Sequence, residues 1–284
     1  MDKILLIGSS GLLGGYLYPY LKKNKNQNIK KFVRKKGLNL LNNKFCNNFF
    51  KVNNFDIIIF LSAITNIDKC EINKNIAYKV NYLLLKKVVK FSLDYNKKTF
   101  FIFLSTDQFY DDYKNNYTKK IKIFNYYTKT KLLCEQLLEK KNSCILRTNF
   151  FGKSKSEKRQ SFSDFIFRNI LNKKKIYLCY DWLFSPIYIG TLCKIIYLVS
   201  KKKLKGKFNI GSNKGFSKHE FGMYFSNKLK LNTDLINKVS FDSLRLKAKR
   251  PKDMRMKVGL INKKLKFKIK TLKEEINMAI KDYK

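Results

Sequence analysis

Residues 4–7, Ile-Leu-Leu-Ile, run directly into Gly8-Ser9-Ser10-Gly11-Leu12-Leu13-Gly14. A short unbroken apolar run reads as a strand buried on both faces, and the residues after Gly11 read as a helix reaching about Lys23. Glycines at such a junction have separate physical uses. Gly8 permits a tight turn, Gly11 lets backbone N–H groups approach a pyrophosphate, and Gly14 lets helix and strand pack closely. The free N–H groups and partial positive charge of a helix N-terminus favour an anion at the same place. The turn therefore predicts a parallel α/β sheet with a dinucleotide across its first crossover.

The same grammar recurs downstream. Ile29–Val33, Asp56–Leu61, Thr99–Leu104 and a segment from Cys144 to Leu146 read as further strands. Apolar residues at helical spacing fill Ile76–Tyr95, and Leu132, Leu133, Leu137 and Leu138 give Tyr127–Lys140 one apolar side. Strands that alternate with helices pair in parallel, with helices on both faces. The expected fold is α/β, a Rossmann-type doubly wound parallel sheet over residues 1–150 with a smaller C-terminal substrate-binding lobe. Residues 176–200, with a strand at Ile176–Tyr180, are expected to return to the sheet. That leaves 151–175 and 201–284 to the lobe. Ligands of such sheets gather at the carboxyl ends of the strands, so the turns after Ile7, Leu61 and Leu104 should converge.

Charge needs separate treatment. The 284 residues hold 62 Lys and Arg against 20 Asp and Glu, formally +42. Such a balance raises the case for a polyanion partner. Only seven of the bases are Arg (Arg34, Arg147, Arg159, Arg168, Arg245, Arg250 and Arg255), and the lysines are scattered among Asn and Ile. Arg is the side chain that reads phosphates and bases bidentately. No specific nucleic-acid partner is therefore expected, and the field simply favours anionic ligands. Cys46, Cys70, Cys134, Cys144, Cys179 and Cys193 form no C-x-x-C pair, and His219 is the single His. That pattern argues against zinc, a His-based triad or any metal site, and suits a reduced, cytoplasmic protein. No stretch reaches the 18 clean apolar residues of a membrane span.

No acid lies between Asp2 and Asp56 to hold an adenosine ribose; Arg34, Lys35 and Lys36 follow the second strand instead. A cation there suits a 2′-phosphate, which favours NADP(H) and leaves NAD(H) as the alternative. Tyr127 and Lys131 stand one helical turn apart, on one face. A free phenol titrates near pH ~10, and a neighbouring ammonium lowers that value. Tyr127 would then protonate a carbonyl oxygen as reduced nicotinamide delivers hydride, with Lys131 also in reach of the nicotinamide ribose. Spacing alone decides nothing, because Tyr18–Lys22, Tyr82–Lys86, Tyr110–Lys114 and Tyr197–Lys201 repeat it. Context singles out Tyr127, whose helix follows a strand ending in Leu104-Ser105-Thr106-Asp107. Those four pairs read as helix or loop surface.

Eight short pieces then occur in order: GSSGLLGG (8–15), LSAITNIDKCE (61–71) with Asn81, STDQFYD (105–111), YTKTKLLCE (127–135), LRTNFFG (146–152), DWLFSP (181–186), GKFNIGS (206–212) and RP (250–251). Together they resemble the extended short-chain dehydrogenase/reductases, and within them the dTDP-4-dehydrorhamnose reductase-like sugar-nucleotide family. The resemblance implies Thr106, Tyr127 and Lys131 as catalytic. It implies Gly8, Ser10, Gly11, Leu12, Asn39, Leu40, Ser62, Ala63 and Thr65 around the cofactor, besides Gly14 and Arg34 read above. Asp107 and Phe150 would face the sugar, and Arg147 follows the family pattern. Gln108 stands where related 4,6-dehydratases carry Glu. An amide has no ionisable proton, so elimination of water is disfavoured.

Three functions follow. The leading one is NAD(P)H-dependent reduction of a 4-keto-6-deoxy sugar nucleotide in deoxysugar biosynthesis, by a protein that can pair as a homodimer. An epimerase with retained NAD is the second. A catalytically inactive, NADP-binding regulatory subunit, similar in fold to the regulatory partner of methionine adenosyltransferase, is the third.

Overall fold

The structure is a computed structural model that describes residues 2–24, 28–33, 38–112, 120–156 and 159–284. Its first five strands are β1 (Ile4–Ile7), β2 (Ile29–Phe32), β3 (Ile57–Phe60), β4 (Phe100–Thr106) and β5 (Ser143–Thr148). Then come β6 (Phe150–Phe151), β7 (Ile176–Cys179), β8 (Leu183–Phe184), β9 (Ile187–Tyr188) and β10 (Gly206–Ile210). The last are β11 (Phe216–Ser217), β12 (Ile236–Val239) and β13 (Asp253–Met254). The main sheet has the order β10-β5-β4-β3-β1-β2 and is parallel throughout. This is the doubly wound α/β fold that the alternating pattern predicts. The direction of winding reverses between β1 and β3, and there the sheet opens a crevice for a ligand.

The unbroken apolar strands are explained by burial on both faces. Ile4, Leu6, Ile57, Ile59, Phe100, Ile102 and Leu104 belong to the core on one side. Leu5, Ile7, Ile58, Phe60, Phe101 and Phe103 belong to the core on the other. Alternate residues point to opposite faces, so each face takes every second residue and no polar alternation is left to read.

One strand assignment is corrected. Ile176–Cys179 does not return to the main sheet; it pairs in parallel with β12 in a separate two-stranded sheet. The return is made by the helix Ile189–Lys202, which packs Leu192, Ile195, Ile196 and Val199 into the sheet's core. β10 then completes the return as the edge strand beside β5. A four-residue apolar run announces burial without saying against which sheet, and only the pairing partner settles it. The lobe has its own core, in which Phe151, Phe184, Phe221 and Phe225 meet Leu272 and Ile276.

The helix predicted over Ile76–Tyr95 is continuous in outline but begins earlier and widens in its middle. Lys74–Tyr78 and Leu84–Tyr95 are α-helical, and Lys79–Leu83 between them forms a π-turn. The extra residue turns Asn81 inward, where it is 1% exposed. Such bulges often mark functional places in a helix.

Among the described residues no helix is long and apolar enough to cross a membrane.

Candidate active site

The turn after β1 is built as its glycines require. Gly8 has φ +93°, and a Cβ on it would lie 2.9 Å from the Ser62 backbone nitrogen. A Cβ on Gly14 would lie 2.3 Å from the Gly8 carbonyl oxygen and 2.6 Å from Ser9 Cα. Gly14 therefore lets the helix Leu12–Lys23 approach its own turn, and Gly8 lets the turn approach the end of β3. Gly11 caps that helix without a side-chain hydrogen bond, and no acid sits in its first turn. Its leading N–H groups remain available to an anion.

A cavity of about 400 Å³ opens over this turn and runs across the carboxyl ends of β1, β3, β4 and β5. Its floor is Gly8, Gly11, Leu12, Leu13 and Gly14; Leu61, Ala63 and Thr65 come from the turn after β3; Thr106, Asp107, Tyr127 and Lys131 come from β4 and the following helix. Phe150 and Phe162 close the far side. The three turns converge as the strand order demands.

The helix Tyr126–Glu139 is held at the cavity by its first turn. Asn125 caps it, accepting from the Thr128 amide at 2.9 Å, and Asn125 Nδ2 donates to the Lys249 carbonyl at 2.8 Å. The Tyr126 amide donates to Glu71 Oε2 at 2.8 Å. Asn81 binds the neighbouring loop to this helix. Its Oδ1 accepts from the Ile64 amide at 2.7 Å, and its Nδ2 donates to Ile64 O at 3.1 Å and Thr130 Oγ1 at 3.3 Å.

Tyr127 is 7% and Lys131 5% exposed. Burial pushes the phenol above its ordinary range; the Thr106 hydroxyl, in hydrogen-bond reach, opposes the rise and the Asp107 charge adds to it. The expected lowering by Lys131 is not what sets this value. Lys131 Nζ donates to the Leu104 carbonyl at 2.8 Å and stands 5.8 Å from the Tyr127 ring centre. Burial brings Lys131 itself down to about 8. Desolvation outweighs the ammonium here, and the phenol is held protonated.

Asp107 is 2% exposed and accepts from Asn149 Nδ2 at 2.8 Å. Burial raises it to about 6, with Asn149 and the charge of Lys218 working in the opposite direction. Lys218 opens the helix Lys218–Lys228 in the lobe; burial lowers it to about 7, against the pull of Asp107.

Arg147 is part of the frame. It grips Glu135 bidentately, Nε to Oε1 at 2.8 Å and Nη2 to Oε2 at 2.6 Å, and Nη1 donates to Tyr110 Oη at 2.9 Å. Ser105 Oγ donates to Glu135 Oε1 at 2.6 Å, and Tyr110 Oη to Asn209 Oδ1 at 2.6 Å. The network joins β4, β5, β10 and the Tyr126–Glu139 helix. It also corrects the reading of Tyr110 as surface, since Tyr110 is 1% exposed. The Arg of the RP piece, Arg250, pairs with Asp68 at 2.9 Å and ties the C-terminal segment to the rim.

Eleven of the expected residues line the cavity: Gly8, Gly11, Leu12, Gly14, Ala63, Thr65, Thr106, Asp107, Tyr127, Lys131 and Phe150. Ser10, Asn39 and Ser62 are not among its lining residues; Ser10 and Asn39 are exposed, and the Ser62 backbone lies against Gly8. Leu40 is 0% exposed in the core under the sheet, so its side chain is not a cavity wall. Arg34 lies outside the described residues. Unforeseen were Asn149, Arg159, Gln160, Ser161 and Phe162 in the wall. The polar loop before Ser161 carries no spacing signal. Asn149 could have been found as the residue just beyond the carboxyl end of β5.

The RmlD substrate binding domain family matches residues 1–284. The chain belongs to that family. A dTDP-4-dehydrorhamnose reductase of Aggregatibacter actinomycetemcomitans is 26% identical over 215 residues, 73% of this chain and 70% of the relative. The dTDP-4-dehydrorhamnose reductase of Bacillus anthracis, solved in complex with NADP, superposes with a TM-score of 0.87 at 21% identity over 98% of each chain. A hypothetical dTDP-4-dehydrorhamnose reductase from Sulfolobus tokodaii superposes with a TM-score of 0.82 at 26% identity, over 95% of this chain and 97% of that one. The RmlD family thus accounts for the sheet and lobe together, over the full length described.

Proposed function

We propose that this chain reduces the 4-keto group of a 6-deoxy sugar nucleotide with NADPH, in the manner of a dTDP-4-dehydrorhamnose reductase. The observation that carries the reading is the meeting of Thr106, Tyr127 and Lys131 with the glycine turn in one cavity. The cofactor fits the residues present: Gly8 and Gly14 leave room that a Cβ would fill, and the helix after Gly11 has an uncapped N-terminus. Gly8, Ser10, Gly11, Leu12 and Gly14 would take its diphosphate, with Asn39, Ser62, Ala63 and Thr65 along its length and Leu40 contributing backbone only. The absence of an acid between Asp2 and Asp56 supports NADPH over NADH, with Arg34 as the cation for the 2′-phosphate.

When bound, reduced nicotinamide supplies the hydride. Tyr127 Oη gives its proton to the carbonyl oxygen, and a phenol kept protonated by burial suits that role. Thr106 shares the same oxygen. Lys131, at about 8, stays mostly charged at neutral pH and favours the phenolate as it forms. Asp107 and Phe150 face the sugar. Gln108 offers no base for elimination, which supports reduction over dehydration. All six cysteines are buried and free, which suits a reducing, cytoplasmic setting. Exposed Ile72 and Ile76, on neighbouring helices, supply apolar surface that a homodimer would cover.

The test is NADPH consumption with and without dTDP-4-dehydrorhamnose. Oxidation that depends on the keto sugar is expected. Tightly retained NAD with no net oxidation would instead mark an epimerase, and NADP binding without turnover a regulatory subunit.

A further inference from the structure

Lys218 occupies an unusual place for one of this chain's many lysines. Its Nζ lies 3.4 Å from the ring centre of Phe184, 4.5 Å from Phe162 and 5.4 Å from Trp182. Its backbone is pinned by a 3.0 Å hydrogen bond from its amide to the Trp182 carbonyl. Three aromatic faces stabilise a cation, but they do not replace strong hydrogen-bond acceptors. Among the described residues Nζ has no hydrogen bond and no ion pair, so its three donors are unspent. Ser217 and Glu220 already close the capping box of this helix, so the helix end itself is satisfied.

Phe162, under the ammonium, lines the cavity, and so does Asp107. Asp107 and Lys218 make no direct ion pair, yet each feels the other's charge. Beside Asp107, Gln108 is 8% exposed with Oε1 unpartnered among the described residues. Its Nε2 faces the thioether of Met254, a weak acceptor, and helps to hold the Asp107 charge. This wall has polar capacity that the protein does not use on itself.

The ligand group that fits must satisfy both charged members. An ammonium only donates and a carboxylate only accepts. A phosphate or carboxylate would suit Lys218 but meet repulsion from Asp107. An ammonium group would do the reverse. A hydroxyl accepts from one and donates to the other. The location narrows the choice further, because Asp107 directly follows Thr106, whose hydroxyl is in reach of the Tyr127 phenol. In a 4-keto-6-deoxy sugar, one ring neighbour of the carbonyl carries a hydroxyl and the other carries the methyl group.

Resting on the reductase reading, we propose that Lys218 is a specificity-determining residue that acts with Asp107 on the hydroxyl next to the reacting carbonyl. Lys218 donates to the hydroxyl oxygen, and Asp107 accepts its hydrogen. The aromatic cage of Phe162, Trp182 and Phe184 keeps the cation oriented.

The experiment compares wild type with Lys218→Met by calorimetric binding in the presence of NADP. The ligands are a dTDP-linked 6-deoxyhexose, the same compound lacking the hydroxyl next to C4, and dTDP alone. For the hydroxylated sugar nucleotide, Lys218→Met is expected to weaken binding about 10- to 100-fold, the range for a hydrogen bond to a charged group. Affinity for the deoxy compound and for dTDP should stay within about 2-fold, which also shows that the variant is folded. Equal losses on all three ligands would assign Lys218 to the diphosphate or to the fold and overturn the proposal. No loss on any of them would overturn it as well. Turnover of the keto sugar by wild type alongside either result sinks this inference alone. If wild type neither binds nor turns over the sugar nucleotides, the reductase reading falls and this one with it.

Discussion

At the scale of single residues, burial governs the chemistry more than pairing does. Tyr127 and Lys131 are both nearly sealed from solvent, and each is driven toward its neutral form. For Lys131 this has a cost in stability. Its value falls from about 10.5 unfolded to about 8 folded, so the unfolded chain holds the proton more tightly between those limits. The penalty is complete below about pH 8 and fades as pH rises toward about 10.5. A shift of that size corresponds to roughly 3 kcal/mol. Lys131→Met is therefore expected to raise the melting temperature at neutral pH, by a margin that shrinks above pH 8, while turnover collapses. A variant that melts lower at every pH would show that the ammonium is a net stabiliser. Tyr127 was legible in the sequence because of its neighbours along the chain, Thr106 on the preceding strand above all; the Tyr-x-x-x-Lys spacing added little. Lys218 was not legible. Nothing in the order of residues distinguishes it from other lysines, and its cage is assembled from Phe162 on one segment and Trp182 and Phe184 on another.

At the scale of elements, two joints carry the site. The first is the glycine turn, where the Gly14 Cα faces the Gly8 carbonyl so closely that a methyl group would overlap backbone. Gly14→Ala is expected to push the Leu12–Lys23 helix off the turn and cost about 1–3 kcal/mol, the range for overpacking. NADPH affinity should fall with it, by at least about 10-fold, read by fluorescence titration. Unchanged affinity would mean that the helix end is not the diphosphate seat. The second joint is the Arg147–Glu135 pair, with both side chains essentially unexposed. Truncating Arg147 leaves the buried Glu135 with only the more exposed Lys207, 3.3 Å away, as a charge partner, so Arg147→Ala should cost about 3 kcal/mol in denaturant unfolding. Replacing both by Met should recover most of that loss. If the single and double variants prove equally unstable, packing rather than charge is the role of Arg147. The glycine turn was readable because each glycine meets a local backbone demand. The Arg147 network was not, since Tyr110, Glu135 and Asn209 meet only after β4, β5 and β10 are laid side by side.

At the scale of the whole molecule, the sequence displayed the sheet far better than the lobe. Two-sided burial makes β1, β3 and β4 compact apolar runs, and their alternation with helices leaves few topologies open. In the lobe the strands are two to four residues long, and a run such as Ile176–Cys179 cannot announce whether it joins the large sheet or starts another. The formal charge of +42 left no mark on the topology, as expected of lysines spread over a surface. The central claim is that one cavity unites the nucleotide turn with the Tyr127 phenol. Its most direct test is NADPH oxidation by wild type and Tyr127→Phe, each with and without dTDP-4-dehydrorhamnose, alongside NADPH binding to both. The account predicts oxidation only by wild type and only with the keto sugar, with NADPH affinity of the variant within about 2-fold of wild type. Turnover by Tyr127→Phe at the wild-type rate would contradict it.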